Sequence, residues 1–143
     1  MGNRRKAREI AMQALFFIDM AKTNDKENIK LFCDTYTPPK KVLPFFYKLI
    51  EGVISQKSEI DSIIDRFSNN WKINRMSCVD RNIIRIAVYE LLFCDDIPSK
   101  VSINEAIDIG KRYSTDDSGA FINGVLDAIC NKLKQKDKTE NVK

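Results

Sequence analysis

The stretch Ser77–Cys94, SCVDRNIIRIAVYELLFC, decides the fold. Val79, Ile83, Ile84, Ile86, Ala87, Val88, Leu91, Leu92 and Phe93 recur three and four residues apart, which is helical periodicity. They cover so much of the circumference that little polar surface remains, so this helix belongs at the centre of a bundle. Ser77 is placed as its N-cap, with Asp80 at the capping-box position three residues on.

On the N-terminal side the same periodicity predicts helices over 4–22, 25–36 and 56–68, and a further helix opened by Pro39 and running through Val42, Phe45, Phe46, Leu49, Ile50, Val53 and Ile54. Thr37-Pro38-Pro39 stops the second of these, since the residue before proline avoids helical geometry. Pro44 is tolerable only in a first turn. Asn69–Arg75 forms a joint that divides the core into two subbundles, with Trp71 packing back as a plug. On the C-terminal side Asp95-Asp96-Ile97-Pro98 turns the chain, and Ser102 with Glu105 marks a capped helix over 102–113. Asp116, Asp117 or Ser118 caps a last helix through Leu133, and 134–143 is expected to fray. With no alternating segment in competition, the reading is an all-α bundle of about seven helices forming one domain over 1–143.

Composition narrows the chemistry. The chain has 143 residues, 43% hydrophobic and 31% charged, enough for a core without staples. It contains no histidine to serve as acid, base or metal ligand. Cys33, Cys78, Cys94 and Cys130 lie far apart among apolar neighbours, as buried filler rather than a zinc site or disulfide scaffold. No phosphate-cradling glycine loop is present, and Asp116-Asp117 reads as helix capping rather than a metal pair. Neither a signal peptide nor a membrane span is expected, which points to the cytoplasm. A catalyst is not indicated, and no cofactor or metal is expected.

The charge distribution says where binding occurs. Residues 1–50 hold ten Lys/Arg against five Asp/Glu, whereas 51–100 hold seven against eight. Arg4, Arg5, Lys6 and Arg8 crowd the first turns of helix 1, where the helix dipole favours acids. Such a cluster either solubilises the terminus or contacts an anion. Lys111, Arg112 and Tyr113 end helix 6, and Lys100 lies in the turn before it. These cations also suit a helix C-terminus, and Tyr113 either stacks on a base or closes the bundle end. Asp80 with Arg81, Glu90 with Asp95-Asp96, and Glu51, Glu59, Asp61 and Asp65 give the middle of the chain an acidic outer surface. Asn123 and Gly124, inside an apolar helix, read as packing and backbone-contact residues.

The strings RRKAREIAMQALF (4–16), DRNIIRIAVYEL (80–91), VSINEAIDIGKRY (101–113) and DSGAFINGVLD (117–127) closely resemble the bacterial transcription antitermination factor NusB family. The resemblance extends over nearly the whole chain and is weakest through 22–45 and in the last ten residues. It implies an all-helical fold of two small subbundles and pairing with the ribosomal protein NusE. It also implies binding of boxA single-stranded RNA by the heterodimer, supporting processive transcription of ribosomal RNA operons through the elongation complex. By this likeness Arg4, Arg5, Lys6 and Arg8 fall on an arginine-rich RNA-binding motif. Phe16 falls where an aromatic occurs, and Lys111, Arg112 and Asp117 match positions near the RNA path. Asp80 and its neighbours Arg81 and Ile84 match the face toward NusE. Family members occur as monomers or homodimers.

Three other readings compete. A helical RNA-binding module like the one appended to ribosomal RNA cytosine methyltransferases shares this fold. A helix-turn-helix protein for duplex DNA requires a basic, exposed recognition helix, and the central helices here are apolar or acidic. A purely structural interaction protein would lose nothing when Arg5 and Arg8 are removed.

Overall fold

A computed structural model describes residues 2–21, 25–68 and 72–141, with side chains as far as Lys134 apart from Asp25. Seven α-helices and one short 3-10 turn account for the regular structure among these residues. They are α1 (Asn3–Ala21), α2 (Asp25–Thr35), α3 (Leu43–Ser55), α4 (Lys57–Phe67), the turn Ile73–Arg75, α5 (Cys78–Phe93), α6 (Ser99–Tyr113) and α7 (Asp116–Asn141). The protein is all-α. No described helix is long and apolar enough to cross a membrane. Trp71, expected to plug the core, lies outside the described residues.

Helix α5 is central. It packs on α1, α3, α4, α6 and α7, and Ile84 and Val88 on it are completely buried. Ser77 caps it, its Oγ accepting a hydrogen bond from the Asp80 backbone N–H at 3.2 Å. Around it, α1 lies against α2 and α3, and α7 against α4 and α6. Phe46, Leu49 and Ile50 of α3 and Ile122, Leu126 and Ile129 of α7 are fully enclosed on either side. Each such side chain contributes about 1.5–3 kcal/mol by leaving water.

Two helix starts differ from expectation. Helix α3 begins at Leu43 rather than Pro39, which puts Pro44 in the first turn where its missing N–H costs nothing. Helix α6 begins at Ser99, behind Pro98. Lys100 therefore lies in its first turn instead of the preceding loop. Ser102 is not a cap: it is buried one turn into the helix and donates to Glu90 Oε1 at 2.9 Å. Helix α7 runs on past Leu133, where the last helix was expected to end, to Asn141.

Charged groups also tie the helices together. Asp19, near the end of α1, takes Arg85 Nη1 at 2.9 Å, Arg81 Nε at 3.4 Å and Lys57 Nζ at 3.7 Å. Arg85 also grips Asp61 of α4 at two points, 2.8 and 3.0 Å. Burial pushes the Asp19 carboxyl upward, but Arg85, the Asn82 amide, Lys57 and Arg81 outweigh it and hold the group below the ordinary carboxylate range. Cys78, expected among apolar neighbours, instead places its Sγ 3.6 Å from Asp19 Oδ2. Asn123 and Gly124, expected to pack, are exposed on the outer face of α7.

Candidate nucleic-acid interface

Helix α1 starts with no acid in its first turn, and the four cations there go in different directions. Arg8 turns inward. It is 3% exposed, with Nε and Nη2 donating to Glu90 Oε2 and Oε1 at 2.9 and 2.6 Å. Glu90, expected on the outer surface, is 1% exposed and holds α1 and, through Ser102, α6 against α5. Arg5 is half-buried, its Nε donating to Glu105 and its Nη2 to Asp108 Oδ2 at 2.9 Å, both acids on α6. Glu105 keeps the Arg5 guanidinium more firmly protonated than usual. Arg4 is exposed, 3.4 Å from Asp96 and with its guanidinium carbon 4.9 Å from the Phe45 ring centroid. Lys6 is exposed.

The second basic cluster adjoins the first, and Glu9 joins them. Glu9 is 1% exposed, and its carboxylate accepts from Arg112 Nη1 at 3.2 Å and from the Tyr113 hydroxyl at 2.9 Å. The end of α6 is thus clamped beside the start of α1. Burial, and then the bond to Glu9, pushes the Tyr113 hydroxyl pKa upward. Lys111 is exposed and lays its stem over α7, where a Cβ at Gly119 would come within 2.8 Å of Lys111 Cε. Seven residues after Glu9, two helical turns on, the exposed Phe16 lies on the same side of α1. Lys100 is exposed at the other end of α6.

Two residues beyond Tyr113 the surface opens into a groove of about 280 Å³, lined by Arg75, Met76, Ser77, Asp80, Thr115, Asp117, Ser118 and Phe121. Ser118 Oγ donates to Asp80 Oδ2 at 3.2 Å, while Asp80 Oδ1 is buried without a hydrogen-bond partner. Asp80 and Asp117, expected to serve a protein partner and RNA respectively, line this one groove. Of the other residues expected to face a partner, Ile84 is 0% exposed and Arg81 is half-buried beside Asp19. Ile84 is core, as its place on the apolar stripe of α5 requires. The described residues contain no cluster of three or more potential metal ligands.

Sequence reasoning missed Glu9, Glu90, Glu105, Asp108 and Phe45 as organisers of this surface. Glu90 carried a signal, since it continues the Ile83, Ile86 and Ala87 stripe by helical spacing and is an acid on a core face.

The family model for the NusB family matches residues 5–131. A transcription antitermination protein NusB from Desulfatibacillum aliphaticivorans is 55% identical over 140 residues, 98% of each chain. One from Desulforapulum autotrophicum is 49% identical over 142 residues, covering 98% of this chain and 99% of its own. Among solved structures, NusB of T. maritima superimposes with a TM-score of 0.78 at 40% identity over 90% of each chain. A structure of antitermination factors NusB and NusE in complex with double-stranded RNA gives a TM-score of 0.81 at 30% identity, over 92% of this chain and 98% of that one. With the model match spanning most of its length and these relatives matched nearly end to end, this chain belongs to the NusB family.

Proposed function

We propose that this protein is a cytoplasmic transcription antitermination factor, a binding protein and not a catalyst, which takes boxA-type single-stranded RNA jointly with NusE. In this role it supports processive transcription of ribosomal RNA operons. The observation that carries the reading is the Glu9 clamp, which makes one surface from cationic clusters more than a hundred residues apart in sequence. Relatives named as antitermination proteins, and a solved relative holding NusE and RNA, support it.

Arg4, Arg5, Lys6, Lys100, Lys111 and Arg112 would meet phosphates, for which the arginine fork is suited. Phe16 and Tyr113 would stack on unpaired bases. The groove would seat a base, its amino hydrogens donated to Asp117 and its face set against Phe121. Arg8 supports this surface from beneath by fixing the start of α1. Contact with NusE falls to Asp80 and Arg81 at the start of α5, with Ile84 packing behind them.

The test is RNA binding with and without purified NusE, using a boxA strand, a scrambled strand and duplex DNA at two salt concentrations. Tighter, sequence-preferring binding with both proteins present is expected. Equal binding of all three nucleic acids under every condition would overturn the reading.

A further inference from the structure

Arg5 sits between two acids one turn apart on α6, and they hold it differently. Glu105 takes Nε, is 22% exposed on its side chain, and lies 4.0 Å from Nη1 of Arg8, itself locked to Glu90. Asp108 takes Nη2 at 2.9 Å, and its side chain is 53% exposed. One acid is anchored to the core and the other stands in water.

We propose that Glu105 aims Arg5, and that Asp108 is an internal stand-in for an RNA phosphate, displaced from Nη2 when RNA binds. This inference rests on the RNA-binding reading above. A carboxylate and a phosphate present equivalent oxygen pairs to a guanidinium, so each can replace the other without Arg5 moving. An exposed ion pair is cheap to open, so the phosphate meets little resistance. Glu105 cannot leave as easily, because its loss would leave Arg5 unsupported and Arg8 with one fewer acid nearby. Arg4 repeats the arrangement more loosely with the exposed Asp96 at 3.4 Å. The free protein thus keeps its arginines partly neutralised, and a polyanion gains from them only by displacing acids already in place.

The experiment measures a boxA RNA strand binding to the full chain with NusE across a salt series. Asp108→Asn should tighten binding about two- to five-fold and steepen the salt slope by up to about 0.7. Asp127→Asn makes the same charge change at an exposed position on α7, a helix that packs on α4, α5 and α6, and should do neither. Glu105→Gln should weaken binding although it too removes a negative charge. In an Arg5→Ala background, Asp108→Asn should have no effect. Equal gains from Asp108→Asn and Asp127→Asn, or a gain that survives Arg5→Ala, would overturn the proposal. If Arg5→Ala weakens binding while Asp108→Asn changes nothing, the shielding fails and the RNA-binding reading stands. If Arg5→Ala changes nothing, this proposal falls, and the RNA-binding reading is decided separately by the boxA, scrambled and duplex comparison with and without NusE.

Discussion

Arg8 of α1 and Glu90 of α5 form a two-point pair at 2.9 and 2.6 Å in which neither side chain is more than 4% exposed. An arginine from a cationic terminus is therefore part of the core. Arg8→Ala should destabilise the protein by about 3–5 kcal/mol, because Glu90 would be left charged and buried with only Ser102 to serve it. Arg8→Lys should recover little, since an ammonium cannot reproduce the fork. Urea unfolding measures both. A midpoint unchanged in Arg8→Ala would mean that the pair does not hold α1 in place.

Arg4 and Lys6 should behave in the opposite way. Both are exposed, so alanine at either position should change stability by no more than about 0.5 kcal/mol. Each loss should weaken RNA binding in the presence of NusE and lower the salt slope by about 0.7 for every phosphate contact removed. Fluorescence anisotropy with labelled RNA across a salt series reads both quantities. Affinity and slope that stay at wild-type values in the double variant would remove the terminus from the RNA path.

The contrast between Arg8 and its neighbours marks how far the sequence can be read. Periodicity located all seven helices and the central one, because burial of a helix face is written in local spacing. Ser77 was legible as a cap for the same reason. Ser102 was not: its capping-box spacing is genuine, but Pro98 starts the helix one turn earlier and leaves Ser102 to meet Glu90. The two basic clusters were legible from composition. Their union through Glu9, and the division of Arg5 and Arg8 between exchangeable and buried acids, depends on partners 82 to 104 residues away. No local pattern encodes such pairings.

Asp19 gives the protein an acid-sensitive tie. Its folded pKa lies below the ordinary value of 3.8, so ionised Asp19 adds stability above that value, and the gain is lost as pH falls through the lower folded pKa. At neutral pH Asp19→Asn should cost about 1–3 kcal/mol, as Arg85, Arg81 and Lys57 lose their shared charge. The gap between wild type and variant should close as pH drops below about 4. Urea midpoints at pH 7, 5, 4 and 3 trace it. A gap that stays constant over that series would show that Asp19 titrates at its unfolded value.

Gly52 and Gly124 are both helical glycines, and alanine should act oppositely at the two. A Cβ at Gly52 would collide with the Tyr89 ring where α3 meets α5, whereas at Gly124 nothing lies within 4 Å. Gly52→Ala should destabilise, the overpacking cost of about 1–3 kcal/mol outweighing the better helix propensity. Gly124→Ala should stabilise by about 0.5–1 kcal/mol. Thermal unfolding of the two variants decides it. Destabilisation by Gly124→Ala would show that the outer face of α7 is not open in the isolated protein.

Tyr113 has one role in its hydroxyl and another in its ring, and two substitutions separate them. The hydroxyl donates to the buried Glu9 at 2.9 Å, so Tyr113→Phe should cost about 1–3 kcal/mol of stability. Because the phenylalanine ring still offers a face to a base, RNA affinity should stay near wild type. Tyr113→Leu removes hydroxyl and ring together. It should match the stability loss and further weaken RNA binding by about 1–3 kcal/mol, the contribution of one stacked base. Both measurements are needed, anisotropy with NusE present and urea unfolding without RNA. Equal RNA affinity in the two variants would assign Tyr113 wholly to the Glu9 clamp, and stacking at this end of the surface would then have to come from Phe16 or Phe121.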